Sequence, residues 1–350
     1  MKRFVFCLMA FKISILNAQN DSSKIIYSAY AEIYYSFDFL QPANRQKPDF
    51  IYNHKRHNEI NINLLLAKAA YSNKNTRANV ALMAGTYAQY NLSNEPNWAQ
   101  LINEANIGIK LAKNYNLWVD AGVLPSHIGF ETVFSADCFT LTRSIVAENS
   151  PYFETGAKLS YTTKNNKLNL TFLLLNGWQK IGKQLGVSKP SIGVQLMYKP
   201  VQNFVLNYSN FLGSLIQSNI NTQRQYHNLY AQYDANKKLS IIIGLDIGND
   251  KNTVIYNSTW LAPIAQLKYN VKQNITVACR AEYFNDAKET ISSTNLGNGF
   301  KVFGVSGNIN YKITPKIFCS FEAKNYTSAT AIFNSSLNNF SVTSALQVKL

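Results

Sequence analysis

The stretch LSIIIGLDIG, residues 239–248, alternates apolar side chains with small or polar ones. Successive side chains of an extended chain point to opposite sides, so Ile241 and Ile243 share one face. Ser240 and Asp246 lie on the other face. Alternation with a period of two is typical of a β-strand that has one apolar face.

The same alternation recurs along the chain, for example in RANVALMAGTYAQY (77–90) and INEANIGIKLA (102–112). Most of the predicted strands have about ten residues or more, which is the length that a tilted strand needs to cross a bilayer. Strands of soluble proteins are shorter, at about five or six residues. The sixteen predicted strands lie at residues 25–37, 58–71, 77–90, 102–112, 117–124, 151–163, 168–178, 190–199, 203–212, 226–235, 239–249, 258–270, 275–285, 301–311, 317–327 and 339–350.

The predicted connections alternate between short and long. The short ones are rich in Asn, Pro and Lys, as tight turns require: SNKNT, KNYN, KNNK, PVQN, ANKK, NVKQN and KITPK. The long ones lie near residues 38–57, 91–101, 125–150, 179–189, 213–225, 250–257, 286–300 and 328–338. Short periplasmic turns and long extracellular loops are typical of outer-membrane barrels.

We therefore predict an all-β fold, a transmembrane antiparallel up-and-down β-barrel of about 16 strands. The strands at 117–124 and 203–212 are the weakest, so a barrel of 14 strands stays open as an alternative. Sixteen strands leave room for an aqueous channel, whereas eight strands are filled by their own side chains.

The N-terminus has the pattern of a secretory signal peptide. Lys2 and Arg3 precede an apolar run that is shorter than the ~20 residues of a membrane-spanning helix. We predict a signal peptide over residues 1–18, cleaved near Ala18, and a barrel over residues 19–350. The predicted location is the bacterial outer membrane.

The composition favours a membrane barrel over a soluble or nucleic-acid-binding protein. The chain has 21 Tyr and 20 Phe but only 15% charged residues, against about 25% in soluble domains. The formal charge of +15 falls by three with the signal peptide, and the remaining cations form no basic stripe that would suit nucleic acid. Much of the positive charge lies in the short turns, where anionic headgroups or plain solvation explain it equally well.

Charged strand residues are predicted to face the lumen, because an Arg or Lys facing lipid at mid-bilayer costs about 2–4 kcal/mol. Lys68 falls on the apolar side of its strand and is predicted to snorkel from the strand end. The predicted lumen-lining residues are Glu32, Arg77, Lys110, Asp120, Glu154, Lys158, Arg280, Glu282, Glu322 and Lys324.

The longest predicted loop, 125–150, contains a combination of residues that could belong to an enzyme. His127, Asp137 and Cys138 are the ingredients of a thiol nucleophile with its base. The sequence has no GxSxG elbow and no CxxC pair that would suit a zinc site. We therefore predict no enzymatic activity, no metal site and no cofactor.

Two histidines, His54 and His57, flank Lys55 and Arg56 in the first long loop. This short run is interpreted as a solvated loop cluster.

Five strings together resemble a known family: YAEIYYSFDF, AGTYAQYNL, ANIGIKLAKNYNLWVDAGVLPSHIGFE, TRSIVAENSPYFETGAKLSY and LLNGWQ. They are similar to the putative β-barrel porin-2 group of outer-membrane proteins. The resemblance covers most of the chain and is densest between residues 80 and 180. It implies an outer-membrane barrel with a pore function, and it supplies no catalytic residues.

By analogy with general porins, the third long loop, 125–150, is expected to fold into the lumen. Glu131, Asp137, Arg143 and Glu148 would then form a pore constriction. An outward lid is the second interpretation of this loop.

The predicted function is that of an outer-membrane porin for passive diffusion of small hydrophilic solutes or ions. A substrate-specific uptake channel or a surface-binding barrel is the alternative, and a barrel enzyme is disfavoured. Aromatic residues at lumen positions would suit sugar binding, although packing explains them better: Tyr30, Tyr34, Tyr87, Trp118 and Trp260. The expected partners are outer-membrane lipid, lipopolysaccharide and the barrel-assembly machinery, with no nucleic acid, and a homo-oligomer stays open.

Overall fold

The computed structural model describes residues 23–217, 219–254, 256–294 and 296–350, so the predicted signal peptide lies outside the described residues. The described chain forms a closed barrel in which each strand pairs antiparallel with its neighbours in sequence, and the first strand pairs with the sixteenth. The prediction of a sixteen-stranded barrel is confirmed. Both of the weakest predicted strands are present.

The strands have the following bounds: β1 Lys24–Asp38, β2 Ile60–Ser72, β3 Thr76–Ala84, β4 Ile102–Lys110, β5 Asn116–Pro125, β6 Phe153–Thr162, β7 Leu168–Leu175, β8 Ser191–Tyr198, β9 Phe204–Gln217, β10 Ile220–Asp234, β11 Leu239–Lys251, β12 Ser258–Lys272, β13 Ile275–Asp286, β14 Phe300–Thr314, β15 Ile317–Ser328 and β16 Asn338–Lys349. Two short helices lie in the connections, α1 at Thr86–Asn91 and α2 at Ile145–Glu148. No helix among the described residues is long and apolar enough to cross a membrane.

The two ends of the barrel differ in their connections. At one end, here called the turn end, short turns join the strands, and β12 and β13 are separated by only two residues. At the other end, the loop end, the connections include loop 1 (residues 39–59) and loop 3 (residues 126–152). Loop 3 contains α2 and a 3₁₀ turn at Ser135–Asp137.

Two predicted boundaries at the loop end are wrong. The strand predicted over 77–90 ends at Ala84, because Gly85 adopts a φ of 118° and α1 follows it. The predicted long loop 213–225 is instead a hairpin, in which β9 and β10 remain paired as far as Gln217 and Ile220. The polar residues of this segment are typical of a loop, but the inward-facing strand positions of a barrel are also polar.

The prediction that Lys68 lies on the lipid-facing side of β2 is also wrong. The pairing of β1 with β2 shifts between Glu32 and Ile33, so Asn63 is an extra residue in β2. A β-bulge of this kind exchanges the two faces of the strand beyond it. Lys68 therefore points inward, where its ammonium donates to the carboxylate of Glu104.

The interior of the barrel contains more apolar side chains than the prediction of a polar lumen implies. Near the loop end, apolar side chains of loops 1 and 3 pack against inward-facing aromatic and aliphatic side chains of the strands. This loop-end apolar cluster includes Phe50, Ile51, Ile128, Ile145, Val146, Leu173, Phe211, Tyr226, Trp260, Phe284, Phe300 and Tyr326. Burial at about 25 cal/mol per Å² of apolar surface stabilises the loops inside the barrel.

A valine in place of Gly122 is expected to destabilise the barrel. Gly122 has a φ of 126°, and an added Cβ would lie 2.1 Å from the carbonyl oxygen of Ala105 on β4. Strained backbone of this kind costs about 1–3 kcal/mol. The measurement is the temperature at which the fast-migrating folded band disappears from a detergent gel.

The matched control is Gly307→Val on β14, where an added Cβ meets no atom within 4 Å. The Gly122 variant should unfold at a clearly lower temperature than this control. Equal unfolding temperatures would contradict the assignment of strain to Gly122.

Candidate functional site

Loop 3 enters the barrel at His127 and crosses its interior. The ring of His127 donates to Glu154 of β6 through Nδ1, at 2.6 Å, and to the carbonyl oxygen of Asn210 through Nε2, at 2.7 Å. Burial disfavours a charged ring, but these two acceptors raise the pKa of His127 above its usual value. The backbone N–H of Gly129 then donates to Asn228 on β10, at 3.2 Å.

The second half of loop 3 contacts the opposite wall through its backbone. The N–H of Leu141 donates to the side chain of Asn308 at 3.0 Å. The N–H of Thr142 and the N–H of Ile145 donate to the carboxylates of Glu322 and Glu282 at 2.5 and 2.6 Å. Since buried N–H groups need partners, inward-facing acids on the wall hold this part of the loop in place.

Arg280 of β13 is the centre of the contact between loop 3 and the wall. Its fully buried guanidinium lies 3.1 Å from Glu322, 3.2 Å from Glu282 and 3.5 Å from Glu131 of loop 3. It also donates to the Thr140 hydroxyl at 2.7 Å and to a carbonyl of the same loop. A buried charge is tolerated when it is paired and hydrogen-bonded in this way.

Arg143 of loop 3 stabilises the loop itself. Its side chain is fully buried and donates to the carbonyl oxygens of Thr132 and Leu141, at 2.7 and 3.0 Å, and to the hydroxyl of Ser135. The carbonyl oxygen of Arg143 in turn accepts a hydrogen bond from Lys324 of β15, at 2.9 Å.

Loop 1 also folds into the barrel and is joined to loop 3 by Glu148. The Glu148 carboxylate accepts the backbone N–H groups of Tyr52 and Asn53, at 3.0 and 3.1 Å, and the side-chain amide of Asn53 at 3.0 Å. Burial raises the pKa of Glu148. Phe50 of loop 1 packs on Phe300 of the wall, with ring centroids 4.9 Å apart.

The interpretation of His54 and its neighbours as a solvated cluster is wrong. His54 is fully buried and its Nε2 lies 2.8 Å from Glu32 of β1, and burial lowers the pKa of His54. Lys47, in the same loop, is also buried, and the pKa of its ammonium falls to about 7 for the same reason. The nearby apolar pair Phe50 and Ile51 was the signal in the sequence that could have indicated an inward fold.

The four residues predicted at the constriction have different positions. Glu131 accepts from Gln266 on the wall, at 2.9 Å, and from Ser144 within the loop. Asp137 accepts from Lys349 of β16, at 2.6 Å, where both side chains are half-exposed. Arg143 and Glu148 contact loops, as described above.

The ten predicted lumen-lining residues fall into two groups. Six contact loop 1 or loop 3: Glu32, Glu154, Arg280, Glu282, Glu322 and Lys324. The other four lie on β3 to β6. There, Arg77 donates twice to Asp120 at 2.6 Å, Lys158 lies 3.8 Å from the same carboxylate, and Lys110 is half-buried at the turn end of β4.

The thiol of Cys138 does not have the environment of a nucleophile. Its Sγ lies 3.6 Å from the carbonyl oxygen of Phe134, whereas His127 bonds to Glu154 and Asn210 at the barrel wall. Burial raises the pKa of the Cys138 thiol, and a reactive cysteine needs a lowered one. In the described part of the chain, no group of three or more His, Cys, Asp or Glu residues could hold a metal ion.

Two cavities lie on either side of the packed loops. The turn-end cavity has a volume of about 620 Å³ and is roofed by Ala136, Asp137 and Cys138 of loop 3. The loop-end cavity, of about 250 Å³, is lined by loop 1 and by residues that follow β13 and β15, including Thr294 and Asn334.

Comparisons with known proteins agree with this architecture. The family described as "Putative beta-barrel porin-2, OmpL-like" matches residues 24–349. No curated protein matches the sequence. OmpT, an outer membrane protein of Vibrio cholerae in a trimer form, has a TM-score of 0.62 at 10% identity, over 94% of this chain and 100% of that one.

Two further solved structures share the fold. The outer membrane channel DcaP of Acinetobacter baumannii has a TM-score of 0.63 at 10% identity, over 94% of this chain and 97% of its own. An anion-selective porin from Comamonas acidovorans has a TM-score of 0.61 at 10% identity, over 94% of this chain and 100% of its own.

Replacement of Arg280 by Gln is expected to destabilise the protein and release loop 3. It would leave the carboxylates of Glu131, Glu282 and Glu322 without their buried cation. Removing one partner of a buried pair costs about 3–5 kcal/mol. The measurements are the unfolding midpoint in guanidinium chloride and the rate of proteolysis within loop 3.

The control is Lys349→Gln, which breaks the half-exposed pair with Asp137. Exposed pairs contribute about 0–1 kcal/mol, so the control should behave like the unmodified protein. If both variants shifted the midpoint equally, Arg280 would not be the centre of the contact.

Proposed function

Because this chain belongs to the putative beta-barrel porin-2, OmpL-like family, we propose that loops 1 and 3 together form the constriction of its channel. The family and the sixteen-stranded fold are those of outer-membrane porins, and the protein is a channel for passive diffusion. Its location is the bacterial outer membrane.

The observation that carries the proposal is the anchoring of loop 3 across the interior. The loop bonds to β6 at one side and to β13, β14 and β15 at the other. In this arrangement Glu131, Arg143 and Glu148 hold the loops in place, while Asp137 faces the turn-end cavity. The shape of the constriction therefore depends mainly on buried charged residues that position the loops. Charged residues that face the water-filled channel contribute less to it.

The solutes are small and hydrophilic. Pockets for drug-sized ligands have volumes of about 300–1,000 Å³. The loop-end cavity, at about 250 Å³, is smaller than that, whereas the turn-end cavity, at about 620 Å³, lies within the range. The aromatic residues that would suit a sugar path are engaged in packing. Tyr30 contacts Phe134 with ring centroids 5.1 Å apart, and Trp260 stacks on Phe284 at 5.6 Å. Diffusion through a narrow pore is thus favoured over a sugar-specific channel.

Several further features belong to the same proposal. The chain has no enzymatic activity, its signal peptide is cleaved near Ala18, and its short turns lie in the periplasm. It contacts outer-membrane lipid and lipopolysaccharide, and it is inserted by the barrel-assembly machinery. A homo-oligomer is supported by the trimer form of the Vibrio cholerae neighbour, and chemical crosslinking in membranes tests it.

Deletion of residues 128–146 is expected to raise the single-channel conductance by more than about two-fold, because the deleted segment occupies the aqueous channel that sixteen strands otherwise leave. Conductance in planar bilayers is the measurement. The control is deletion of residues 253–256, in an exposed connection at the loop end that includes Val254 and Tyr256. Unchanged conductance in the first deletion would remove loop 3 from the constriction.

Glu148→Ala is expected to free loop 1 and to increase both conductance and its fluctuations. The variant removes the acceptor of three hydrogen bonds from Tyr52 and Asn53. Each bond to a charged acceptor contributes about 1.5–3 kcal/mol. The control in loop 1 is Asp49→Asn, whose exposed carboxylate lies 3.3 Å from Lys55. A quiet channel in the Glu148 variant would contradict a role for loop 1.

A further inference from the structure

The turn-end cavity has an unusual concentration of positive charge. Five lysines line its volume of about 620 Å³: Lys237, Lys238, Lys268, Lys272 and Lys312. We propose that this cavity binds soluble multivalent anions, such as polyphosphates and polycarboxylates, on the periplasmic side of the constriction.

The positive charge of the cavity exceeds the negative charge of the neighbouring acids, of which Asp234 interacts electrostatically with Lys268. Asp137 is the one carboxylate among the lining residues, and Lys349 already pairs with it at 2.6 Å. Within the described ranges, none of the five lysines has a carboxylate within 4.0 Å. A low-dielectric concavity lined by one sign of charge concentrates ions of the opposite sign, by about 10- to 1,000-fold in favourable cases.

Lys268 distinguishes this cluster from an ordinary basic rim. It lies four residues before the end of β12, rather than in a turn or at a strand end, and it has the inward parity of the buried Ile264 and Gln266. Its ammonium lies 4.2 Å from the ring centroid of Phe139 in loop 3. Neither the solvation of a turn nor attraction to headgroups explains a lysine that faces the interior beneath the constriction.

Neutral donors accompany the lysines. The amide side chains of Gln273, Asn274 and Asn310 also line the cavity. Several ammonium groups with amides between them suit an anion with two or more charges, because each ammonium can pair with a separate oxygen. Monovalent anions are attracted more weakly, because the Coulomb energy is proportional to the charge of the anion.

The proposal rests on the proposed function for the position of the cavity on the periplasmic side of the constriction and for the anion preference of the current. Binding itself can be measured without a conducting channel. Anions that reach this cavity from the periplasm would also be preferred over cations as permeant ions.

The test uses a variant in which the five lysines are replaced by glutamine. The matched control replaces five exposed turn lysines that do not line the cavity: Lys74, Lys113, Lys164, Lys167 and Lys199. Both variants remove the same net charge. Sodium tripolyphosphate is the probe, and its binding to detergent-solubilised protein is measured by titration calorimetry at low salt.

We expect the cavity variant to bind tripolyphosphate at least about ten-fold more weakly than the unmodified protein, and the control to keep most of its affinity. Equal weakening in both variants would mean that total charge, rather than this cavity, attracts the anion. No binding by the unmodified protein would also overturn the proposal.

Bilayers of phosphatidylcholine, which carries no net charge, provide the second readout. Tripolyphosphate should block the current only when it is added on the side of the turns. In a KCl gradient, the reversal potential of the unmodified protein should show a preference for anions, and the cavity variant should lose this preference. The orientation of the channel in the bilayer is identified with a biotinylated tag at Leu185, which is 95% exposed in a connection of the loop end. Streptavidin binds this tag only from the side of the loops. Block from either side alike would contradict the site.

An absence of channels in the unmodified protein would contradict the proposed function, while the calorimetry would still decide the anion site.

Discussion

The structure depends on the closure of its sheet, in which β1 pairs with β16 over nine residue pairs from Tyr30 with Lys349 to Asp38 with Ser341. A bilayer offers no water to unpaired backbone groups, so a membrane sheet must have no free edge. Closure separates two surfaces along every strand, one towards lipid and one towards the interior. The positions of the inward acids, the cavity lysines and the buried aromatic residues follow from that separation.

Closure also creates an interior that is wider than the strand side chains can fill, and loops 1 and 3 occupy it. Irregular backbone inside a barrel needs hydrogen-bond partners, and the wall supplies them through Glu282, Glu322 and Asn308. Glu148 performs the same role between the two loops. The charged residues of the interior therefore have a structural role that is separate from any contact with solutes.

Much of the fold could be predicted from the sequence because alternation with a period of two is a local property. The inward direction of loop 3 was predicted by analogy, and its partners were not, because they depend on residues such as Glu322 that are distant in sequence. The inward fold of loop 1 was missed, since His54 and Lys55 resemble solvent-exposed residues unless Glu32 and its neighbours are known to surround them. The bulge at Asn63 was missed because one inserted residue leaves no compositional signal.

Loop 3 spans the seam at which the sheet closes. The N–H of Ala136 contacts the hydroxyl of Tyr30 on β1, and Asp137 bonds to Lys349 on β16, so adjacent residues of the loop contact both sides of the seam. During assembly, these contacts can form only when the first and last strands meet. An assembly intermediate with an open seam therefore lacks at least one of these two contacts, so the full set of loop 3 contacts forms only when the barrel is complete.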